Sequence, residues 1–584
     1  MPPSPPSSFA APRTWIAAAA AALPSLLAYN VSPSPTFLNQ ALALALWGAF
    51  VAASAPAAPG RGPGPLWAAL GALAVGVAIS WGPGALPSTL ALSALGLLAA
   101  TAVVVAAGAG ARARADAPDL FAAFCWAWLV AGLFNVAIAV VQVFLPELAD
   151  GDWIARSGTV GRAVGNLRQP NHLSSLLLWA AIATVALVDL RRLGRRAGAV
   201  VLAALVFAVV LTASRTGLLS MLLLALWGGV DRRLERPARL LLLAAPFVYA
   251  LCWLGLAQWA AASQHAFGGS ARLAETDISG SRFGIWANTL ELIRHQPWTG
   301  VGFGEFNLAW TLTPFPGRPV AFFDHTHNLP LQLAVELGLP LAGVVMALLL
   351  WALGRGMRNA WRADGALGTA QRAAMAMVLM IGLHSLLEYP LWYSYFLLPA
   401  AWAWGYALHR EARAAAAGAG AAPWLAGAGV LLVAGALWAT ADYARVAAIF
   451  SARPGAAPLE QRIADGRRSV FFGHHGDYAA VTSGVAVPDA ARAFDRATHY
   501  LLDARLMIAW SQALAAQGRL DEARHLAARL REFRKADAED FFAACPGVTP
   551  PATSAAASAA LAPFQCQPPG RTPSWQEYQP QARR

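Results

Sequence analysis

Asp324, His325 and His327 stand together just before an apolar segment of the chain. A neutral imidazole can take a proton from a hydroxyl near neutral pH, and Asp324 or Glu336 could orient His327 for that step. The same spacing also suits a helix-capping or interfacial histidine, with Asn328 as its polar neighbour. A His-x-His pair can bind a metal, but no cysteine or carboxylate cluster elsewhere completes a site, so the sequence predicts no metal.

Three arginines stand where an anionic partner is expected. Arg215 lies between two apolar runs, where a guanidinium without a counter-charge costs roughly 2.5 to 3.5 kcal/mol. Arg168 precedes another apolar run, and Arg282 lies in a long polar stretch, where a solvated loop charge is the alternative. Because guanidinium groups match phosphate oxygens in a bidentate way, these arginines are candidates for binding a phosphorylated donor.

The combination of histidines and arginines, with no obvious pair of carboxylates, favours group transfer over hydrolysis. A phosphate or pyrophosphate leaving group departs without a general acid, so the protein needs only to hold its charge and activate the acceptor. Hydrolysis of glycosides would instead need two positioned carboxyl groups. The residue types therefore indicate group transfer from a phosphorylated donor.

The composition indicates that membrane helices position these residues. Of 584 residues, 57% are hydrophobic and only 13% are charged, which is typical of a polytopic membrane protein. The net charge of +12 does not indicate nucleic acid, because most arginines lie in short turns between apolar runs, where they set topology.

About 13 apolar runs, with a range of roughly 11 to 14, have the length of a membrane span. They are predicted at 14–29, 36–55, 66–82, 86–110, 120–145, 170–189, 197–212, 216–230, 240–261, 328–353, 373–389, 393–408 and 423–441. The positive-inside rule places the N-terminus in the cytoplasm and everything after about residue 442 outside it. The sequence thus predicts an all-α polytopic membrane protein with a large outer loop and a small helical C-terminal domain.

Three regions follow from this topology. Residues 1–445 form the membrane domain, with its outer loop at about 262–327. Residues 446–546 form an outer helical domain, in which 503–530 is predicted to be a helical hairpin that resembles one tetratricopeptide unit or a plain helical pair. Residues 547–584 lack periodicity and are predicted to be a disordered tail.

The four cysteines fall in two settings. Cys125 and Cys252 lie in apolar runs and are predicted to be core residues. Cys545 and Cys566 lie in the exported region, where an oxidising compartment permits a disulfide between them.

A glycine-rich turn at Gly300, Gly302 and Gly304 lets the backbone approach either a ligand or a neighbouring helix closely. No strand precedes these glycines, so they do not form a dinucleotide-binding fingerprint.

Several of these stretches resemble the O-antigen ligase and polymerase superfamily. The segments that carry the resemblance are Arg282-x-x-x-Trp286, the turn at 297–304 and the stretch 325–338. Two more, 165–172 and 384–393, resemble the branch that glycosylates proteins, the PglL-type O-oligosaccharyltransferases. The resemblance covers the chain from about residue 15 to about residue 445.

The resemblance implies a metal-independent glycosyltransferase of the bacterial inner membrane that uses no cofactor. Such enzymes move a glycan from undecaprenyl pyrophosphate to an acceptor hydroxyl on the periplasmic face. The acceptor would be a Ser or Thr of an exported protein such as a pilin, with lipid A core or a growing O-antigen chain as the alternative. By position, the family's loop histidine is His327 and its arginines are Arg215 and Arg282. The residues expected to support the site are Gln169, Asn171, His172, Glu388 and Tyr389, for which helix capping and packing are the alternative role.

A transporter or flippase is the alternative of another class, because it would also have many spans and buried arginines. The chain shows no convincing internal repeat, and histidine and arginine in a large outer loop favour surface chemistry. The exported C-terminal domain could present a protein acceptor, a hypothesis based on its helical character.

Overall fold

The computed structural model describes residues 12–54, 57–60, 62–263, 265–269, 278–409, 422–485, 488–545 and 562–579. Within these ranges the regular structure is helical, and the described residues contain no β-strand. Residues 264 and 270–277 of the predicted outer loop lie outside the described residues, as do 547–561 and 580–584 of the predicted tail.

Each of the thirteen apolar runs coincides with a helix. These helices are α1 (Pro12–Leu26), α2 (Phe37–Ser54), α3 (Gly64–Trp81), α4 (Ser88–Arg112), α5 (Ala117–Phe144), α6 (Pro170–Asp189), α7 (Arg195–Leu211), α8 (Arg215–Val230), α9 (Arg236–Ser263), α12 (Leu329–Arg362), α13 (Gly365–Ser385), α14 (Ser394–Leu408) and α15 (Pro423–Phe450). Proline is the first residue of α1, α6 and α15, where its missing N–H leaves no helical hydrogen bond unmade.

Nine helices of the described chain are long and apolar enough to cross a membrane. The other four apolar helices, α1, α7, α8 and α14, have 15, 17, 16 and 15 residues. These observations confirm an all-helical, polytopic membrane protein, while the number of spans and their orientation stay predictions.

The remaining helices are shorter or more polar. They are α10 (Ile278–His295), α11 (Phe306–Leu312), α16 (Leu459–Gly466), α17 (Gly473–Thr482), α18 (Ala490–Ala497), α19 (Ala504–Ala516), α20 (Leu520–Glu532) and α21 (Glu539–Phe542), with 3-10 turns at 146–148, 390–392, 536–538, 564–566 and 575–578.

The chain divides into two compact units. Unit one comprises 1–70, 97–276 and 346–440, and unit two comprises 71–96, 277–345 and 441–584. This division differs from the predicted boundary at 445, because residues from 277 to 345 share a unit with the C-terminal region. The physical reason is a common apolar core, in which Phe306, Trp310 and Phe315 pack with C-terminal residues such as Met507 and Phe533.

Unit one is organised around α6. Nearly all of this helix is buried, and it packs against α5, α7 and α13. Aromatic rings fill the adjoining space, with the Trp128 and Trp179 rings 4.8 Å apart and the Phe124 and Trp402 rings 4.5 Å apart. Cys125 is fully buried in this core and Cys252 is half-buried at its edge.

Unit two contains the predicted helical hairpin. Helices α19 and α20 pack together on either side of a turn at Gly518, whose φ of 77° is readily adopted only by glycine. Cys545 and Cys566 form a disulfide with an S–S distance of 2.06 Å.

The prediction of a disordered tail is wrong for residues 562–579. Trp575 and Tyr578 are buried in the core of unit two, and the Tyr578 hydroxyl donates to the Glu522 carbonyl at 2.9 Å. Ser574 and Glu577 form a reciprocal capping box around the last turn. Composition alone could not reveal these contacts, because the two aromatic residues that carry them stand in a proline-rich and glutamine-rich stretch.

Candidate active site

The loop that carries the two histidines is fixed where it enters α12. The Asn328 side chain accepts a hydrogen bond from the Leu331 N–H at 3.0 Å and so caps the helix. One residue before His327, the Thr326 N–H donates to the side-chain oxygen of Gln332 at 2.7 Å. Between these anchors His327 has a φ of 55°, a conformation that is uncommon for a residue other than glycine and that occurs preferentially at functional sites.

A chain of polar contacts runs from Asp324 through His325 to His327. The Asp324 carboxylate accepts a hydrogen bond from Nδ1 of His325, and Nε2 of His325 lies 3.3 Å from Nδ1 of His327. His325 is buried, His327 is half-buried, and the Phe323 ring packs edge-on against His327. Desolvation raises the pKa of Asp324, but the hydrogen bond and charge of His325 outweigh it, so this pKa lies below its ordinary value.

These contacts indicate where the ring protons lie, as inferred from the hydrogen-bond network. A neutral His325 that donates its Nδ1–H to Asp324 presents the lone pair of Nε2 to His327. His327 then donates its own Nδ1–H, which leaves its basic lone pair on Nε2. When His327 takes a proton, the Asp324 carboxylate stabilises the positive charge through His325. Such an arrangement can serve a general base with an orienting partner.

The two carboxylates predicted to orient His327 act on it indirectly. Asp324 reaches it through His325, as described above. Glu336 is buried and accepts a hydrogen bond from Gln332 at 2.9 Å, so it positions the loop through the Gln332 side chain. Gln332 stands four residues from both Asn328 and Glu336 on one face of α12, and this spacing is the sequence signal that could have identified its role.

The glycine-rich turn approaches a neighbouring helix, which was one of its two predicted roles. Val301 and Gly302 donate backbone hydrogen bonds to Val335 and Glu336 at 2.8 and 3.0 Å. A Cβ on Gly300 would lie 2.5 Å from the Glu336 carbonyl oxygen, which is too close for any other residue. The turn therefore fixes the part of α12 that carries Glu336.

Arg282 lies on α10, which contacts the same loop. One turn further along this helix, the Trp286 Nε1–H donates to the Thr326 carbonyl at 3.0 Å. Because side chains four residues apart share a helix face, Arg282 lies on the side of α10 that faces the histidine loop. Unit two thus brings together His325, His327, Asn328 and Glu336, and it also contains α10 with Arg282.

Unit one brings together a second group of predicted residues around the start of α6. Nδ2 of Asn171 donates to the Glu388 carboxylate at 3.1 Å, and Oδ1 of Asn171 accepts from the Ser214 hydroxyl at 2.7 Å. Gln169 caps α6 by accepting from the His172 N–H at 2.8 Å. These contacts connect α6, the start of α8 and the segment after α13.

His172 and Tyr389 belong to an aromatic group in unit one. Nδ1 of buried His172 lies 3.2 Å from the Tyr395 hydroxyl, and its ring packs edge-on against Tyr393 at 4.6 Å. Tyr389 is half-buried and lies 5.7 Å from the Tyr393 ring. Ring packing, the alternative role given to these two residues, therefore accounts for much of their surroundings.

The two remaining arginines stand at element boundaries of unit one. Arg215 is the first residue of α8 and is exposed, directly after Ser214, whose hydroxyl caps the helix by accepting from the Gly217 N–H at 3.0 Å. Arg168 is also exposed, has a φ of 58°, and donates to the Ala28 carbonyl at 2.7 Å. Their predicted phosphate-binding role stays a prediction.

Two buried polar residues that sequence reasoning missed hold the segment before α6. The Gln142 side chain accepts from the Val164 and Gly165 N–H groups and donates to the Ala155 carbonyl. The Asn166 side chain accepts from the Ala155 N–H at 2.9 Å. Gln142 stands within an apolar run, and a buried amide in such a run is a signal that could have been read.

Three family models match parts of this chain. The model described as O-antigen ligase matches residues 198–346, which include Arg215, Arg282 and His327. The model described as the C-terminal part of a virulence factor membrane-bound polymerase matches 372–543. The model described as protein glycosylation ligase matches 163–188, which include the start of α6.

Two curated relatives come from Acinetobacter baylyi (strain ATCC 33305 / BD413 / ADP1). A general O-oligosaccharyltransferase is 28% identical over 252 residues, which is 42% of this chain and 43% of the relative. A ComP-specific O-oligosaccharyltransferase is 25% identical over 287 residues, which is 48% of this chain and 50% of the relative. The chain thus spans about half the length of the curated relatives it matches. The matched segments and these relatives show that the chain is similar to PglL-type O-oligosaccharyltransferases and to the O-antigen ligase superfamily.

Proposed function

We propose that this protein transfers a glycan from undecaprenyl pyrophosphate to the hydroxyl of a Ser or Thr in an exported protein, such as a pilin. The observation that carries the proposal is the Asp324, His325 and His327 chain, because it orients a histidine as a base in a segment that matches an O-antigen ligase model. The names of the two relatives support a protein acceptor.

In the proposed reaction, Nε2 of His327 takes the proton of the acceptor hydroxyl while its oxygen attacks the anomeric carbon of the glycan. A new glycosidic C–O bond forms, and the bond between the anomeric carbon and the pyrophosphate oxygen breaks. The pyrophosphate leaves with the electron pair and needs no general acid, because it is already a stable anion. Arg168, Arg215 and Arg282 are the residues proposed to hold its charge.

The test uses purified full-length protein with a lipid-linked glycan and a pilin-like acceptor, and transfer is read as a mass increase of the acceptor. His327→Ala is expected to abolish transfer while leaving the protein folded, because the base is removed. His295→Ala is the matched control, since His295 is exposed at the end of α10 and pairs with Glu291. Full transfer by His327→Ala would overturn the proposal.

A second candidate keeps the chemistry and changes the acceptor to a sugar hydroxyl of lipid A core or of a growing O-antigen chain. It is favoured by the models described as ligase and polymerase, which match most of the region from 198 to 543. The same assay separates the two candidates when lipid A core replaces the protein acceptor. Transfer should continue with a chelator present in either case, because the proposed scheme uses no metal.

A further inference from the structure

We propose that Asn307 is a positioning residue that connects the C-terminal region to the histidine loop. This inference rests on the proposed function, because it assigns Asn307 a role in holding the base. All the residues that carry it lie in unit two.

The Asn307 side chain bridges two segments that are distant in sequence. Its Oδ1 accepts a hydrogen bond from the Leu502 N–H at 2.7 Å, and its Nδ2 donates to the Phe323 carbonyl at 2.7 Å. Phe323 is the residue directly before Asp324, whose carboxylate holds His325. Asn307 therefore fixes the backbone from which the polar chain to His327 begins.

The amide of Asn307 is suited to this role because it is buried and satisfied at both ends. Its residue exposure is 2%, so water is largely excluded from both hydrogen bonds. An amide donates through its nitrogen and accepts through its oxygen, so one short, rigid side chain serves both backbone groups, whereas a hydroxyl has a single oxygen for both roles. Removing either bond leaves a buried backbone group without its partner.

Neighbouring contacts hold α11, which carries Asn307, against the C-terminal region. Nδ1 of His499 lies 2.6 Å from the Glu305 carboxylate, and both side chains are buried. At the other end of α11, Nε2 of His525 lies 2.8 Å from the Leu312 carbonyl oxygen. These contacts hold α11 itself, whereas the contact to the histidine loop is made by the Asn307 side chain.

The main test variant is Asn307→Asp, which keeps an oxygen to accept from Leu502 and loses the donor to Phe323. We expect kcat to fall roughly 10- to 100-fold, because small displacements of a catalytic group have effects of this size, while the KM for the donor stays within about twofold. Asn307→Ser, which is shorter and uncharged, is the second variant and should show the same split between kcat and KM.

The matched control is His525→Phe, which removes one hydrogen bond between α11 and the C-terminal region, at the Leu312 carbonyl rather than at the Phe323 carbonyl. Its kcat should stay close to that of the unmodified protein. Hydrogen–deuterium exchange gives a readout besides activity: peptides covering 322–328 should exchange faster in both Asn307 variants and at the normal rate in His525→Phe.

The outcomes test the positioning role of Asn307 and the proposed function separately. Normal kcat in both Asn307 variants, or an equal loss in His525→Phe, overturns the positioning role while the proposed function stands. If the unmodified protein transfers no glycan to any acceptor, the proposed function fails, and exchange at 322–328 then decides whether Asn307 holds the loop. Unchanged exchange in both Asn307 variants would contradict the positioning role in that case as well.

Discussion

The Asp324 carboxylate determines which nitrogen of His325 carries a proton, and through it the tautomer of His327. An amide at position 324 could donate to Nδ1 of His325, which would place the His325 proton on Nε2 and reverse the bond to His327. The basic lone pair of His327 would then lie on Nδ1 rather than Nε2. We therefore expect Asp324→Asn to lower kcat by roughly 10- to 1,000-fold with little change in donor affinity.

Steady-state glycan transfer measures this effect, and Glu291→Gln is its control. Glu291 is a half-buried carboxylate of α10 that pairs with Arg294 and His295 away from the histidine loop, so its loss should leave kcat unchanged. If Asp324→Asn transfers glycan at the normal rate, His327 does not depend on the carboxylate for its orientation.

For the individual residues of the site, the sequence predicted which residue types are present better than it predicted the contacts they make. His327 was selected through a family resemblance, and His325 was a supporting residue. The structure places His325 between Asp324 and His327. Two histidines at this spacing can bind a metal, cap a helix or pass a proton. Only the directions of their side chains distinguish these three roles, and the sequence does not give those directions.

Helix α12 is broken at Gly338, directly after the part that carries Gln332 and Glu336. Gly338 has φ 73° and ψ 160°, a region that is essentially restricted to glycine, and a Cβ there would lie 2.3 Å from the Trp298 carbonyl oxygen. We expect Gly338→Ala to lower the free energy of unfolding by about 1 to 3 kcal/mol and to reduce transfer, since the break positions the start of α12.

The matched control for this prediction is Gly343→Ala in the same helix. A Cβ on Gly343 meets nothing within 4 Å, so alanine should be neutral or stabilise the helix by up to about 1 kcal/mol. Thermal unfolding of the purified proteins in one detergent compares the two. Equal melting temperatures for the two variants would contradict this prediction, because alanine at position 338 would then add no backbone strain.

Hydropathy predicted the helices well because lipid-exposed segments must be apolar over their whole length. It could not predict how the helices are joined to their loops. Gln142 and Asn166 fix the segment before α6 through hydrogen bonds to backbone groups, and Gly300 fits against α12 at a distance that only glycine allows. Such contacts depend on the folded backbone, which a single sequence does not display.

For the whole molecule, the main difference from the sequence prediction is the composition of unit two. The sequence placed a domain boundary near 445, where apolar runs end. The structure shows one apolar core that contains α11, the hairpin α19 and α20, and the ordered end of the tail. Hydropathy marks where lipid contact ends, but it does not reveal that segments 277–345 and 441–584 share a core, because residues 346–440 of unit one separate them in the sequence.

The stability of unit two should depend on pH through two buried histidines of α17. The rings of His474 and His475 both pack against Tyr500, and Nδ1 of His474 lies 3.1 Å from the Thr89 hydroxyl. Burial lowers the pKa of His475 to about 4 and the pKa of His474 well below its ordinary value. Histidines in the unfolded chain titrate near 6.5, so between these values the unfolded chain binds more protons than the folded one.

The free energy of unfolding should therefore fall as the pH is lowered from about 6.5, and His475 contributes about 2 kcal/mol of that loss at pH 5. Chemical unfolding at pH 7.5 and pH 5 measures the difference. His475→Phe keeps a buried ring against Tyr500 and cannot be protonated, so its difference should be smaller by this amount. His295→Gln changes an exposed histidine of the same unit and should keep the full difference. If His475→Phe and the unmodified protein lost equal stability between the two pH values, protonation of His475 would not be a cause of the loss.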